Sequence, residues 1–267
     1  MSGQDRHIKT IQKLFAMHQQ RHDIYALFSD CMEMAALSIA NSVDLASRER
    51  GEVRYLEIAA RYDRAVIDMF PKVLAEVILA LEAETGDVLG AVFSGLEIHN
   101  KYRGQFFTPY PVCQLMAKVT AGDRASLAAL ISQKGYVTAV EPACGAGAMI
   151  IALTEAMRDA EINYQKHLHV TAIDIDPRAV HMAYIQLSLL HVPACVILGD
   201  SLVGTIREHW FTPAHVLGGW SRKLAEQLAS TVAGHFPVRT VEAGRQSLQH
   251  QSPANEALRP GEQLTLF

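Results

Sequence analysis

The sequence predicts an α/β fold, a parallel sheet of strand–helix–strand units preceded by a helical region. Three observations carry this. Short β-rich runs at 136–142, 168–176 and 194–200 alternate with helical runs. A glycine turn, ACGAGAM, joins the first run to the helix after it. Through residues 4–85, apolar residues recur at helical rather than strand spacing. Strands and helices alternating at this spacing argue parallel pairing with right-handed crossovers.

Taken in order, the first helical runs carry Ile8, Ile11, Leu14 and Phe15, then Leu27, Met32, Ala35, Ala36 and Ile39. A further run carries Tyr55, Leu56, Ala59, Tyr62, Ala65, Val66, Met69, Val73, Val77, Ile78 and Leu81. Boundaries are expected at Asn41-Ser42 and Arg50-Gly51, and Pro71 is expected to break or kink its helix. Nothing in this region looks catalytic; its apolar residues are core or interface. A short helix follows from Asp87 to Leu96. Thr108-Pro109, with Pro111, opens another, because proline suits the first turn. YVTAVEP, LHVTAIDID and ACVILGD read as strands, and IIALTEAMRDA and PRAVHMAYIQLSLLH (177–191) as helices. Beyond residue 200, PAHVL (213–217) reads as a weak fourth strand and 221–233 as a helix. Residues 237–262 are polar and read as a flexible tail. The expected division is a helical region over 1–85, an α/β domain over 86–235 and a tail over 236–267.

Composition narrows the function. The 267 residues are 49% hydrophobic and 19% charged, which allows a sizeable core and excludes global disorder. A net charge of -4 gives no general positive field for nucleic acid. Phosphate contacts would need a local basic groove or a partner. Cys31, Cys113, Cys144 and Cys195 form no C-x-x-C pair, so neither a zinc site nor a disulfide framework is expected. The 12 histidines are scattered and hold no H-E-x-x-H, so no metal site is expected. The start lacks an apolar signal region and VLAEVILAL (73–81) is too short to span a bilayer, so a cytoplasmic protein without membrane contact is expected.

The chemistry concentrates in E-P-A-C-G-A-G, residues 141–147, which ends a strand and opens a helix. Gly145 and Gly147 let the backbone approach a ligand, and the helix N-terminus favours negative charge. Asp174 lies near the end of the second strand, where a carboxylate can bind both hydroxyls of a ribose. Asp200 ends the third, within reach of an adenine edge. Acidic residues at three successive strand ends point to a nucleoside-containing cofactor; a purely structural glycine turn is the alternative.

The set G-Q-F-F-T-P (104–109), E-P-A-C-G-A-G (141–147), A-I-D-I-D-P (172–177) and G-D-S-L (199–202) resembles the N6-adenine DNA methyltransferases. It is most similar to the modification subunits of type I restriction systems. The resemblance covers roughly residues 85–205, and its most specific part is FFTP ahead of the glycine motif. It implies a Rossmann-like methyltransferase core over 86–235 and S-adenosylmethionine as cofactor. By resemblance, Thr108 and Pro109 lie near the methionine moiety. Glu141 meets the ammonium, with Pro142 and the backbone from Ala143 to Gly147 beside it. Asp174 takes the ribose hydroxyls, Ile175 packs on the adenine, and Asp200 accepts from the adenine amino group. Phe106 and Phe107 belong to that site or are ordinary core aromatics.

One departure bears on activity. The family carries Asn or Asp, Pro, Pro and an aromatic after its fourth strand. These accept the hydrogens of the adenine amino group and stack on the flipped-out base. The chain has no N-P-P or D-P-P. HVLGGW (215–220) stands at the expected place, where Leu217, Gly218 and Gly219 offer no side-chain acceptor. Trp220 is either the stacking aromatic or a core residue. The family's sheet has seven strands, ordered 3-2-1-4-5-7-6; three firm strands here predict a shortened core and impaired catalysis by the chain alone. The alternatives are an active enzyme with a diverged motif near 215–220 or one completed by a partner, and a non-catalytic protein that mimics a modification subunit. DNA, a specificity-type subunit or a second copy are the expected partners. The sheet's free edge would be covered by the N-terminal helices, by 206–233 or by a second copy. Finally, Q-L-T-L-F (263–267) resembles the peptide by which bacterial proteins dock on the sliding clamp. Gln263, Leu264, Leu266 and Phe267 would enter the clamp's groove, or the segment packs back on its own domain.

Overall fold

A computed structural model describes residues 3–96, 108–235 and 264–265, the last six of the second stretch and the final pair by their backbone. Aspartates set the starts of several helices. The Asp23, Asp63 and Asp87 carboxylates accept from the amides of Ala26, Val66 and Gly90, which would otherwise be unsatisfied. The N-terminal helices are α1 (Gly3–Ala16), α2 (Ile24–Val43), α3 (Arg48–Ala59), α4 (Arg64–Ala83) and α5 (Val88–Gly95).

Two expectations for this region fail. Gly51 lies inside α3 rather than at a boundary. A Cβ there would lie 2.2 Å from Asn41 Oδ1, so the glycine serves the close approach of α2 and α3. Pro71 lies inside a continuous α4. The burial of Met69, Phe70, Val73 and Val77 against the neighbouring helices outweighs the lost hydrogen bond.

The α/β part runs α6 (Tyr110–Ala121), α7 (Arg124–Lys134), β1 (Val137–Glu141), α8 (Ala148–Asp159), α9 (Tyr164–His167), β2 (Leu168–Asp174), α10 (Pro177–Leu189) and β3 (Ala194–Asp200). It continues with β4 (Thr205–Phe211), α11 (Pro213–Leu217), α12 (Trp220–His235) and β5 (Leu264–Thr265). The sheet order is β4-β3-β2-β1-β5. β1, β2 and β3 pair in parallel, with Val137 opposite Leu168 and Val170 opposite Ala194. This is a Rossmann-like α/β core, short of the seven strands of the resembled family among the described residues.

The fourth strand is not where the sequence reading put it. β4 is 205–211, antiparallel to β3 across a tight hairpin, and PAHVL is the helix α11. Thr212 caps α11 by accepting from His215 N, and Pro213 occupies its first turn. The position beside β1, which the family gives to its fourth strand, is held by β5: Leu264 and Thr265 pair in parallel with Ala139 and Val140. The other residues of 236–267, including Gln263, Leu266 and Phe267, lie outside the described residues.

α2 and α5 pack on α10, so the N-terminal helices cover that helix of the α/β part, and within the α/β part α6 packs on α8. One cluster of buried side chains runs continuously from Ile11 to Leu198. All four cysteines are buried and unbonded. No helix among the described residues is long and apolar enough to cross a membrane.

Candidate active site

The carboxyl ends of β1, β2 and β3 converge where the sequence places its acidic residues. Leaving β1, the chain turns through Pro142–Gly147 before α8 begins. Cys144 N donates to Ile173 O at 2.8 Å, tying the loop to β2, and Gly147 N donates to Cys144 O at 2.8 Å. The turn requires φ of 53° at Gly145 and 95° at Gly147, a region side chains disfavour. Asp174 orders the loop from β2: its Oδ2 accepts from Gly145 N and its Oδ1 from Asp176 N, both at 2.9 Å.

Glu141 is the unusual member. It is 4% exposed. Its Oε1 accepts from Ala143 N at 3.2 Å, while Oε2 is buried and has no partner among the described residues. Burial raises its carboxyl above the usual range, and the nearby Asp174 charge adds to this. Burial also raises Asp174. A buried carboxylate with an unfilled lone pair is costly unless a cation meets it. The loop therefore presents a place for a positive group at Glu141, beside acceptors for hydroxyls at Asp174. Asp200 closes the β3–β4 turn, its Oδ1 accepting from Leu202 N at 2.9 Å and Val203 N at 3.2 Å. Ile175, 53% exposed, offers an apolar face next to Asp174. Thr108 and Pro109 are exposed at the start of α6, which packs on α8. Phe106 and Phe107 lie outside the described residues.

Residues 85–209, which contain this whole arrangement, match the family model for N-6 DNA Methylase. That span is similar to the N-6 DNA methylase family. No curated protein matches the chain. Among solved structures, a putative class I S-adenosylmethionine-dependent methyltransferase from Listeria monocytogenes aligns with TM-score 0.42 and 12% identity, over 77% of this chain and 56% of that one. The modification subunit of a putative type I restriction enzyme from Vibrio vulnificus YJ016 aligns with TM-score 0.42 and 10% identity, over 76% and 57%. The methyltransferase subunit of a type I restriction-modification system from Streptococcus thermophilus gives TM-score 0.38 and 11% identity, over 73% and 58%. The chain thus spans under three fifths of the length of each.

Within the span matched by that family model and just beyond it, the structure separates the candidates. It brings Glu141, Pro142, Ala143, Gly145, Gly147, Asp174, Ile175 and Asp200 to one end of the sheet. It does not bring Trp220 there. Trp220 is 1% exposed, its ring centroid 5.0 Å from Tyr136 and 5.3 Å from His169. Tyr136 immediately precedes β1 and His169 is the second residue of β2, so Trp220 is a core residue at the amino ends of the strands. Beside it, His169 Nε2 lies 2.9 Å from His215 Nδ1, and His215 Nε2 lies 2.8 Å from Ser221 Oγ. Burial pushes His169 down to about 3 and His215 to about 4, so both are neutral.

Gln186 on α10 reaches the glycine loop without belonging to any motif, and through it the loop is linked to Asp87 ahead of α5. The available signals were local. Gln186 is a lone amide on the apolar face of its helix, and Asp87 is an N-cap ahead of VLGAVF.

Proposed function

We propose that this chain binds S-adenosylmethionine across the carboxyl ends of β1, β2 and β3. It serves adenine-N6 modification of DNA together with partner chains, and does not transfer the methyl group alone. The observation that carries this reading is the buried, partnerless Glu141 Oε2 beside a loop ordered by Asp174. A cofactor with an ammonium and a ribose matches those two groups. Glu141 holds the ammonium, Asp174 accepts from the ribose hydroxyls, Ile175 lies against the adenine, and Asp200 accepts from its amino group. Pro142, Ala143, Gly145 and Gly147 supply backbone contact, and Thr108 with Pro109 borders the methionine end. When bound, S-adenosylmethionine supplies an electrophilic methyl group on its sulfonium.

The acceptor side is what the chain lacks. An adenine amino nitrogen is a poor nucleophile and needs acceptors for its hydrogens. Leu217, Gly218 and Gly219 supply no side-chain acceptor, and His215 and Trp220 are buried away from the loop. A partner therefore completes the site and supplies phosphate contacts that a chain of net charge -4 does not. A specificity-type subunit or a second copy fits that role. The segment with Gln263, Leu264, Leu266 and Phe267 docks on a sliding clamp once Leu264 and Thr265 leave the β1 edge, and the setting is cytoplasmic. Radiolabelled methyl transfer to unmethylated DNA is the test. No turnover by the purified chain is expected; turnover by the chain alone would overturn the impairment.

A further inference from the structure

Glycine-rich loops are conformationally free, so something must hold this one in shape before a ligand arrives. From β2 the hold is Asp174. From behind, it is Gln186. This side chain is 0% exposed, on a stretch of α10 where Ala183, Ile185 and Leu187 are also buried. A buried amide is costly unless its donors and acceptor are satisfied. Here Nε2 donates to Ala146 O at 2.8 Å and to Asp87 Oδ1 at 2.9 Å, while Oε1 accepts from Leu89 N at 3.0 Å. Both N–H bonds and the carbonyl are used, each by a different residue. Asp87 in turn accepts from Gly90 N at 2.9 Å and so caps α5.

Ala146 lies between Gly145 and Gly147, the two residues at positive φ. Fixing its carbonyl fixes the peptide plane it shares with the Gly147 amide, while Asp174 holds the Gly145 amide from the other side. We infer that Gln186 is a positioning residue for the cofactor loop, anchoring the Ala146 carbonyl and joining the loop to α5 through Asp87 and Leu89. The inference rests on the cofactor reading above for its consequence, and on loop geometry alone for its mechanism. α5 also precedes, in sequence, the segment carrying Gly104–Pro109. Gln186 thus ties the glycine loop to the element that leads into the other half of the family's motif set.

Two variants and two readouts test it on the full chain. Gln186→Leu keeps size and apolar fit but removes all three hydrogen bonds. Gln186→Glu keeps the acceptor for Leu89 N and can donate only while protonated, since its ionised form would face the Asp87 carboxylate. Calorimetry with S-adenosylmethionine is expected to show at least a tenfold weaker Kd for Gln186→Leu. For Gln186→Glu, affinity is expected to fall relative to wild type as pH rises, a pH dependence that loss of packing alone would not create. Hydrogen exchange without cofactor is expected to show faster exchange at the Cys144 and Gly147 amides in Gln186→Leu. If Gln186→Leu does not fold, Gln186→Glu carries both readouts. Wild-type Kd and wild-type loop exchange in a folded variant would overturn the inference. Faster loop exchange in a series whose wild type binds no S-adenosylmethionine would support the anchoring and overturn only the cofactor reading.

Discussion

Replacing Glu141 with glutamine is expected to move stability and cofactor affinity in opposite directions. The carboxylate is 4% exposed and its Oε2 has no partner among the described residues. In the free protein the Ala143 amide compensates its charge only in part, and burial raises its pKa. A carboxyl whose folded pKa lies above its unfolded value favours folding below the unfolded pKa. That contribution is lost as pH rises through the folded value. Above the unfolded pKa the free protein therefore carries the cost of that carboxyl, and Glu141→Gln removes it. The variant is expected to melt higher, by about 2–4 °C for each kcal/mol recovered. Binding responds the other way. A hydrogen bond from an ammonium to a buried carboxylate contributes about 1.5–3 kcal/mol, so losing it weakens Kd by roughly 10- to 150-fold. Wild-type affinity also rises with pH as Glu141 ionises, and the variant loses that slope. Calorimetry across pH and a thermal melt of each free protein read these effects. Wild-type affinity in Glu141→Gln would refute the ammonium contact, and a large fall in Tm would refute the partnerless Oε2.

Further outcomes follow from the same geometry. Asp174→Ala removes the acceptors for Gly145 N and Asp176 N together with the ribose contacts; cofactor binding by calorimetry should weaken at least tenfold, and unchanged binding would move the ribose elsewhere. Gly147→Ala meets only ordinary contacts, 3.6 Å from Ala183 Cα and Cβ, so its cost is the φ of 95°; about 1–3 kcal/mol of stability should be lost in urea unfolding. His169, His181 and His215 are held neutral by burial, down to about 3, 4 and 4. Their lowered folded pKa values mean that stability is lost as pH falls below 6.5 towards 4, and His169→Phe should flatten that slope in pH-dependent melts. Deleting 263–267 should abolish recovery of sliding clamp in a pull-down; equal recovery from both proteins would end that reading.

The glycine loop and the three strand-end carboxylates were legible because each is a local signal. A strand ends, glycines relieve the backbone, and an acid follows at a fixed place. β4 was harder. TIREHWF is exposed along nearly its whole length, so it carries no buried alternation, and its pairing with β3 is a tertiary fact. PAHVL was misread because its apolar content suits a strand, although Thr212-Pro213 ahead of it is a helix-start signature. Trp220 is a candidate only because it stands where the aromatic of the family's motif is expected; its burial against Tyr136 and His169 depends on where α12 packs. Gln186 stayed hidden because its partners come from residues 87, 89 and 146, far from it in sequence.

Titration of the folded wild-type chain with S-adenosylmethionine in a calorimeter tests the central claim most directly. Saturable binding near one cofactor per chain is predicted, weakened in Asp174→Ala and in Glu141→Gln. A folded wild-type sample that shows no heat of binding and no rise in Tm with S-adenosylmethionine would contradict it.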